Sequence, residues 1–511
     1  MASLRGARLP GRWARLSPDR APPYWAAAAF VVSASFAGAV ALFSSNDTHR
    51  LWGLTAACAY VASVVAVLAW RSRGIDLALL LSVSGALITP LFLNAATGRK
   101  QPEVAVIARS AKQLVSHHSP YLAATSLAAV HNPNAFDPYL PVMSLFGIPR
   151  ALFGSHVITD PRVWFGAAFV VVFWLALRAA GARNALRWTV MVTACPVIAL
   201  ELAVGGTDIP ILALLCLGFA LLWRRPRFVL SGVALGLASA AKAIAWPAVI
   251  VAAVLIATRD GPRPYLAFLG SALAACAAVV APVAAVWPSA LVENTILFPL
   301  GLAGVTSAAA SPLPGHAIAG TGHAGHLIAV ALLVLGGAAI AGSLAVRPPR
   351  TVPAAVWRLA IGLSVMFALA PATRFGYFIY PLCLLLWLSA SQLGTARSAV
   401  RAERPGGVLR EELAAASSPL QAASCSGTSG RPRRRIQPRA WSVRENLSPS
   451  PAGHAPLAAA GLHSAAYRSR LGYPPAVASG SALGPTRDPL APGETDGAGR
   501  ATRSWPAGRK E

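Results

Sequence analysis

The segment between residues 101 and 162 separates two long apolar runs and reads QPEVAVIARSAKQLVSHHSPYLAATSLAAVHNPNAFDPYLPVMSLFGIPRALFGSHVITDPR. It carries three acidic residues, Glu103, Asp137 and Asp160, and several pairs that favour turns, including Ser-Pro, Asn-Pro and Asp-Pro. A connection of this length, with acidic, aromatic and helical character, is more typical of a functional loop than of a simple linker. We therefore expect the rest of the chain to form a scaffold around it.

The sequence outside this segment is dominated by apolar runs, each close to the length of about 20 residues that crosses a bilayer as a helix. Of 511 residues, 55% are hydrophobic and only 12% are charged, which excludes an ordinary soluble globular protein. The short alternating segments of a transmembrane barrel are absent. The sequence predicts an all-α, polytopic integral membrane protein with about 12 transmembrane helices. The predicted helices are 24–43, 51–70, 75–95, 162–178, 188–204, 209–223, 229–241, 244–258, 265–286, 324–346, 354–371 and 377–393.

The net charge of +26 comes largely from arginines that cluster in short loops and near the chain ends. This pattern follows the positive-inside rule and favours contact with anionic lipid over nucleic-acid binding. It predicts a basic cytoplasmic N-terminus (1–23), a transmembrane domain (24–393) with long outer loops at 96–160 and 287–323, and a cytoplasmic tail (394–511). The tail is rich in Pro, Gly, Ser and Arg, so we expect it to be disordered. The localisation predicted is a cell membrane, with both termini cytoplasmic.

Common cofactor and metal patterns are missing from the chain. The six cysteines form no C-x-x-C pair, and His316, His323 and His326 have no carboxylate or thiol at a spacing that suits a metal. There is no P-loop, no G-x-S-x-G elbow and no H-E-x-x-H motif. We expect neither a metal nor a cofactor.

Several charged residues lie at or near the predicted outer ends of helices, where the positive-inside rule leaves cations scarce. Lys242 interrupts a run of small residues, and Arg374 lies in the turn PATRFGY. Each is compatible with a side chain that reaches the lipid headgroups or with one that binds a phosphate. Glu201 is compatible with pairing to a cation, and Asp208, in GGTDIP, with capping the helix that follows.

The stretches PEVAVIARSAKQLVSHHSPYL and FDPYLPVMSLFGIPR, together with LSGVALGLASAAKAIAWP, resemble the GT-C superfamily of membrane glycosyltransferases. The best match is to glycosyltransferase family 87, the polyprenyl-phosphate-mannose-dependent mannosyltransferases. The resemblance places an acidic residue at Glu103, a Pro-Tyr pair at Tyr121, a Tyr-Pro segment at Tyr139, and the Lys-x-x-x-Pro motif at Lys242. The chain has Glu where the family usually has Asp, so Asp137 and Asp160 remain alternatives.

The resemblance implies an inverting transfer of a hexose, with mannose expected, from a polyprenyl-phosphate donor to a glycolipid or glycan acceptor at the outer face. Such chemistry needs a general base and cations for the departing phosphate. We assign Glu103 as the base and Lys242 and Arg374 to the phosphate. The residues expected to line the sugar or lipid groove are Tyr121, Tyr139 and Asp208.

Two other functions remain open from the sequence. In a transporter or lipid flippase, Glu201 and Lys242 would form a pair at mid-membrane, and 229–241 with 244–258 would be a broken helix. In a membrane scaffold, the basic tail would be the binding part. The expected partners are membrane lipids and the two substrates, without nucleic acid.

Overall fold

The computed structural model describes residues 23–402, except for 71–72, 129–131 and 306–308. Within these ranges the secondary structure is helical, apart from an isolated bridge between Ala310 and Thr373. The all-α prediction is confirmed for this part of the chain. The predicted N-terminal segment, 1–23, lies outside the described residues apart from its last position.

The longer helices are numbered here in chain order. They are α1 (Pro23–Phe43), α2 (Asp47–Ala69), α3 (Gly74–Ala96, with a π-helical turn at Ser84–Ile88), α4 (Pro102–His117), α5 (Pro161–Ala179), α6 (Ala185–Thr193), α7 (Pro196–Val204), α8 (Ile209–Ala220), α9 (Phe228–Ser239), α10 (Trp246–Arg259), α11 (Pro262–Val286), α12 (His323–Val346), α13 (Val352–Leu369) and α14 (Ile379–Ala402). Shorter helical segments are Ala124–Ala128, Pro133–Ala135, Pro141–Gly147, Ile148–Phe153, Ala243–Ala245, Pro288–Val292, Glu293–Leu297, Pro314–Ala319 and Phe375–Phe378.

Fewer of these helices are long enough to cross a membrane than the sequence predicted. In the described part of the chain, 8 helices have the length and composition of a membrane span, or up to 9 if α6 and α7 form one broken span. The predicted runs 209–223, 229–241 and 244–258 are helical, but they form the shorter helices α8, α9 and α10. The protein is thus a multi-pass membrane protein, and the count of 12 spans stays a prediction for these three short helices.

The predicted helix 188–204 is two helices that meet at an angle of 74°. Pro196 lacks a backbone N–H and restricts the residue before it, so α6 ends at Thr193 and α7 begins at the proline. The carbonyl of Ala194, which the break exposes, accepts a hydrogen bond of 2.8 Å from the hydroxyl of Tyr60 in α2. This bond satisfies a polar group that would otherwise be buried without a partner.

The main hydrophobic core lies between α5, α8, α9, α10, α13 and α14. On α5, Phe165, Phe169 and Phe173 repeat every four residues, so they share one helical face and are buried together. A separate cluster joins α1, α2 and α7 around the buried Trp52 and Tyr60. Together these packings fix the ends of α7, α8 and α9, from which several charged side chains project.

The predicted outer loop 96–160 is largely ordered by the amphipathic helix α4. Pro102 occupies its first turn, where a missing N–H costs nothing, and Glu103 follows it. Ile107 and Ala111 of α4 are buried, and the 3-10 helix Pro141–Gly147 packs against α4. Hydrogen bonds from Leu140 N–H to Ala241 O (2.9 Å) and from Val142 N–H to Ala240 O (3.2 Å) tie this loop to the end of α9.

The last helix extends beyond the predicted start of the tail. We expected disorder from residue 394, but α14 continues to Ala402. The run SQLGTARSAVRA contains no proline and is rich in residues that favour helices, so the helix has no reason to end at 393. Residues 403–511, which make up the rest of the predicted tail, lie outside the described residues.

Candidate active site

A cavity of about 270 Å³ opens where the long loop meets α4, the end of α9 and the turn before α14. Its walls include the acid of α4, both cations that the sequence singled out, and two tyrosines. These side chains are Glu103, Lys242, Arg374, Tyr139 and Tyr377. Glu103 and Arg374, which are 271 positions apart along the chain, therefore border one space. The remaining walls are mainly apolar, including Phe136 and Phe298, whose rings stack with their centroids 4.6 Å apart.

The acid and one cation of the cavity form an ion pair: Arg374 donates through Nη1 to Oε1 of Glu103. The Glu103 side chain is 19% exposed and that of Arg374 is 41% exposed, so the pair lies at the cavity wall and not in the core. A pair in this position is held weakly enough to exchange partners, since water screens its attraction. Arg374 is thus able to contact an anion that enters the cavity.

The second cation, Lys242, is held by an acid behind the cavity wall. Its Nζ lies 2.6 Å from Oδ1 of Asp208, which also accepts a hydrogen bond of 2.7 Å from the hydroxyl of Tyr380. The ring centroids of Tyr139 and Tyr377 lie 5.5 and 5.0 Å from Nζ, within the range of a cation–π contact. The ammonium is therefore fixed in direction, with its carboxylate partner on one side and aromatic rings beside it.

Two of the residues expected in the sugar or lipid groove lie behind the cavity wall. The hydroxyl of Tyr121 donates to the carbonyl of Tyr139 at 2.9 Å, and its ring packs with Val283 and Ala290. The sequence suggested that Asp208 caps α8. Asp208 lies at the N-cap position, but its side chain accepts no hydrogen bond from the helix backbone. It binds Lys242 from behind the cavity wall instead. Tyr139, in contrast, lines the cavity directly.

Asp137, one of the two alternatives to Glu103, is buried and does not border the cavity. Its Oδ1 accepts from the N–H of Tyr139 at 3.0 Å, and its own N–H donates to Oδ1 of Asn294 at 2.8 Å. Burial raises the pKa of the Asp137 carboxyl to about 7, although Arg109 and the hydrogen bond from Tyr139 oppose this rise. Asp137 joins the two long loops through Asn294, which lies in the second of them.

This burial predicts an unusual dependence of stability on pH. Because the pKa of Asp137 is higher in the folded protein than in the unfolded chain, its contribution favours the fold below about pH 4 and is lost as the pH rises to about 7. Asp137→Asn, which mimics the protonated acid, should match the wild type near pH 4 and exceed its stability by about 4 kcal/mol at pH 8. Melting curves of both proteins across this range measure the difference, and a constant difference would contradict the expectation.

Asp160, the other alternative, is a structural residue at the start of α5. Its carboxylate caps the helix through the N–H of Arg162 (3.1 Å) and forms a buried ion pair with the guanidinium of the same residue, with Nε–Oδ1 at 2.8 Å and Nη2–Oδ2 at 2.9 Å. Arg162 also donates to the carbonyl of Arg99 at 2.7 Å, which ties α5 to the segment before α4. Asp160 is not among the residues that border the cavity.

Asp160→Asn should destabilise the fold by about 3 kcal/mol, because Arg162 would keep its charge while losing a buried partner. The two side chains are only 4% and 1% exposed. The matched control is Asp260→Asn, which breaks the partly exposed pair of Asp260 with Arg259 and should cost less than 1 kcal/mol. The melting temperatures of the two variants in the same detergent give the comparison, and equal losses would contradict the assignment.

A third acid lies beside these pairs, on α7. The carboxylate of Glu201 lies against Gly206. It also lies near Gly376, where a Cβ built on the glycine would be 3.5 Å from Oε1 of Glu201. Glu201 is half-buried, and it interacts electrostatically with Glu103, Asp208, Lys242 and Arg374. The glycine at 206 leaves the room that this side chain occupies, because a Cβ there would be 2.1 Å from Oε2.

A protein-family model matches part of the chain. Residues 138–371 match the model of glycosyltransferase family 87. This region, a little under half of the chain, is similar to the family 87 glycosyltransferases, and the similarity indicates that the protein is a glycosyltransferase. The comparisons with curated proteins and with solved structures returned no match.

This family 87 match confirms the resemblance drawn from the sequence, and it confirms the expected enzyme class. The matched region includes Tyr139, Asp208 and Lys242, whereas Glu103 lies 35 positions before it and Arg374 three positions after it. The helical fold, with its cavity between the loop and the helix ends, is consistent with a GT-C enzyme. No group of three or more His, Cys, Asp or Glu side chains in the described residues is arranged to hold a metal ion.

Three residues around Lys242 and Asp208 in this glycosyltransferase were not assigned to the site from the sequence: Tyr377, Tyr380 and Glu201. Glu201 gave a signal, since it is an acid within an apolar run, but nothing in the run indicated its neighbours. The tyrosines follow Arg374 in FGYFIY, where aromatic residues are equally typical of a membrane interface. Only the folded chain shows that both lie around Lys242 and Asp208.

Proposed function

We propose that the protein transfers a hexose, with mannose as the first candidate, from a polyprenyl-phosphate donor to a glycolipid or glycan acceptor, with inversion at the anomeric carbon. One observation carries this proposal: a single cavity is bordered by the carboxylate of Glu103 and by the cations Lys242 and Arg374. A base and a phosphate site are the two functions that this transfer requires.

The reaction exchanges one bond to the sugar for another. The oxygen of the acceptor hydroxyl attacks the anomeric carbon from the face opposite the phosphate, and the bond from that carbon to the phosphate oxygen breaks. The electron pair of the broken bond goes to the phosphate, while the proton of the hydroxyl goes to Glu103. The growing charge on the phosphate is stabilised by the positive charges of Lys242 and Arg374.

The two ion pairs suggest how the donor prepares the base. Without donor, Arg374 binds Glu103 and Lys242 binds Asp208. A phosphate that enters the cavity competes with Glu103 for Arg374, because guanidinium binds phosphate in the same forked geometry as carboxylate. Glu103 is then free to accept the proton. Lys242 keeps Asp208 behind it and offers its remaining N–H donors to the phosphate.

The placement in the membrane is also part of the proposal. Arginines cluster between α8 and α9 and between α12 and α13, at the ends of the helices away from the cavity. By the positive-inside rule this end is cytoplasmic, which places the cavity at the outer face of a cell membrane and both termini inside. A donor whose lipid lies in the outer leaflet would then reach the cavity with its sugar phosphate.

The pairing of Lys242 removes the main argument for transport. The transporter interpretation rested on Glu201 and Lys242 as a pair, but Lys242 binds Asp208 and lies at the end of α9, beside the loop. No other observation in the described residues favours transport.

The proposal is tested with the purified full-length protein in lipid nanodiscs, given a mixture of membrane-derived acceptors. One sample receives polyprenyl-phospho-mannose with a radiolabelled sugar, and a parallel sample receives a labelled nucleotide-linked mannose. We expect label to move to the acceptor fraction only from the lipid donor. Transfer from the nucleotide donor alone would overturn the proposed donor class.

A further inference from the structure

A second cavity, of about 360 Å³, lies at the other end of α5. It is bordered by Arg178 from the last turn of α5 and by three arginines between α8 and α9, namely Arg224, Arg225 and Arg227. Because α5 begins at the long loop and spans 19 residues, this cavity lies at the opposite membrane boundary from the proposed active site. The proposed transfer reaction does not use it.

The four arginines have no acidic partner in the described ranges of the chain, since no carboxylate lies within 4.0 Å of their guanidinium groups there. Arg259, which is close by and donates to the carbonyl of Leu222, is paired with Asp260 at 2.8 Å. All four side chains are exposed, so water and salt weaken their mutual repulsion, and an anion bound among them would reduce it further. The arrangement therefore favours a negatively charged ligand.

Local packing directs two of these side chains. The guanidinium of Arg178 lies over the ring of Trp174, 5.3 Å from its centroid. Arg224 lies against Gly181, which has a φ of +76°, and a Cβ at that position would be 2.7 Å from the Arg224 guanidinium carbon. The positive φ requires the glycine, whereas the exposed Arg224 side chain could shift to admit a Cβ. These contacts hold charged groups from two segments at one cavity.

We propose that this cavity binds the headgroup of an anionic phospholipid. The guanidinium groups offer paired donors that match the oxygens of a phosphodiester. The other walls are apolar and include Ala179 and Leu221, and the adjoining surface of α5 exposes Leu175 and Val171. A lipid would place its phosphate among the arginines and its acyl chains along these apolar residues, an arrangement that a free anion cannot use.

The test uses the purified full-length protein in mixed micelles with equal amounts of phosphatidylglycerol and phosphatidylcholine, and native mass spectrometry counts the bound lipids. We expect the wild type to retain phosphatidylglycerol selectively. Each guanidinium removed should weaken binding about fivefold, so Arg224→Gln should show this loss and the triple variant Arg224→Gln/Arg225→Gln/Arg227→Gln a larger one.

The matched control is Arg347→Gln/Arg350→Gln, which removes two exposed arginines between α12 and α13 at the same boundary but outside the cavity. This variant should retain phosphatidylglycerol as the wild type does. An equal loss in the control, or unchanged retention in the triple variant with an unchanged melting temperature, would overturn the proposal. If the triple variant does not fold, the single variants Arg224→Gln and Arg178→Gln are measured instead. Each should lose phosphatidylglycerol binding about fivefold, and unchanged binding in both would overturn the proposal. Displacement of the lipid by an excess of inorganic phosphate would overturn the lipid assignment, since a free anion would then suffice.

Discussion

Glu103→Gln is expected to lower the rate of sugar transfer by a factor of about 10² to 10⁴, the range measured when a general base is removed. Glutamine keeps the size of the side chain and one hydrogen-bond acceptor, but it cannot take the proton of the acceptor hydroxyl. The variant should fold normally, because the Glu103 side chain is 19% exposed and its ion pair with Arg374 lies at the cavity wall. Initial rates with labelled polyprenyl-phospho-mannose measure the effect.

The two kinetic constants distinguish a base from a residue that merely holds Arg374. If Glu103 is the base, kcat falls while KM for the donor stays unchanged or decreases, because Arg374 is released for the phosphate. If Glu103 only positions Arg374, KM for the donor should rise instead. Glu293→Gln is the matched control, since Glu293 lies in the second long loop and does not border the cavity. Its transfer rate should equal that of the wild type.

Lys242→Gln is expected to lower kcat by a factor of about 10² to 10³, comparable to the loss of one donor that stabilises developing charge. The ammonium is held by Asp208 and flanked by the rings of Tyr139 and Tyr377, so no other cation of the described residues can take its place without rearrangement. Asp208 keeps its hydrogen bond from Tyr380, which limits the structural cost.

Lys112→Gln is the control for this second variant. Lys112 lies on α4 in the same loop as Glu103, but it is exposed and does not border the cavity. Lys242→Arg should recover part of the lost rate, because the charge is kept while its geometry changes. A Lys242→Gln enzyme with the kcat of the wild type would contradict the role of Lys242 in binding the phosphate.

The helices of this protein were largely predictable because their physical cause is local. Long apolar runs such as those of α1, α11 and α12 satisfy their own backbone groups as helices, whatever surrounds them. The helix breaks were harder to predict. Pro196 is visible in the sequence, but a proline within an apolar run is also compatible with a kinked single helix, and only the packing with Tyr60 fixes the 74° bend.

The acids of the long loop show where prediction from sequence ends. The sequence assigned Glu103 as the base through the family resemblance, with Asp137 and Asp160 as alternatives, because all three acids lie in the same loop. The structure separates them by their partners: Asp160 has Arg162, only two positions away, whereas Glu103 meets Arg374 across 271 positions. A partner two positions away can be predicted from the sequence, because an acid at a helix N-cap lies beside the residues of the first turn. A partner at such a distance depends on the packing of nearly every helix between them.

The site also contains more acid than the sequence led us to expect. Lys242 was singled out as a cation near the outer boundary, but its pairing with Asp208 depends on how α8 and α9 pack. Glu201 joins the same cluster because Gly206 leaves space for its carboxylate. The pairing of these acids with nearby cations arises from the tertiary structure and leaves no periodic pattern in the sequence.

We expect Lys242 and Arg374 together to bind the phosphate of a lipid-linked sugar. The most direct measurement is photocrosslinking of the purified full-length protein with a polyprenyl-phosphate analogue that carries a diazirine next to its phosphate, followed by mapping of the labelled peptides. We expect labelling at the cavity segments around Ala243 and Phe298, competition by unlabelled polyprenyl phosphate, and loss of the label in Lys242→Gln/Arg374→Gln. Labelling that persists in this double variant, or that falls on helices away from the cavity, would contradict the claim.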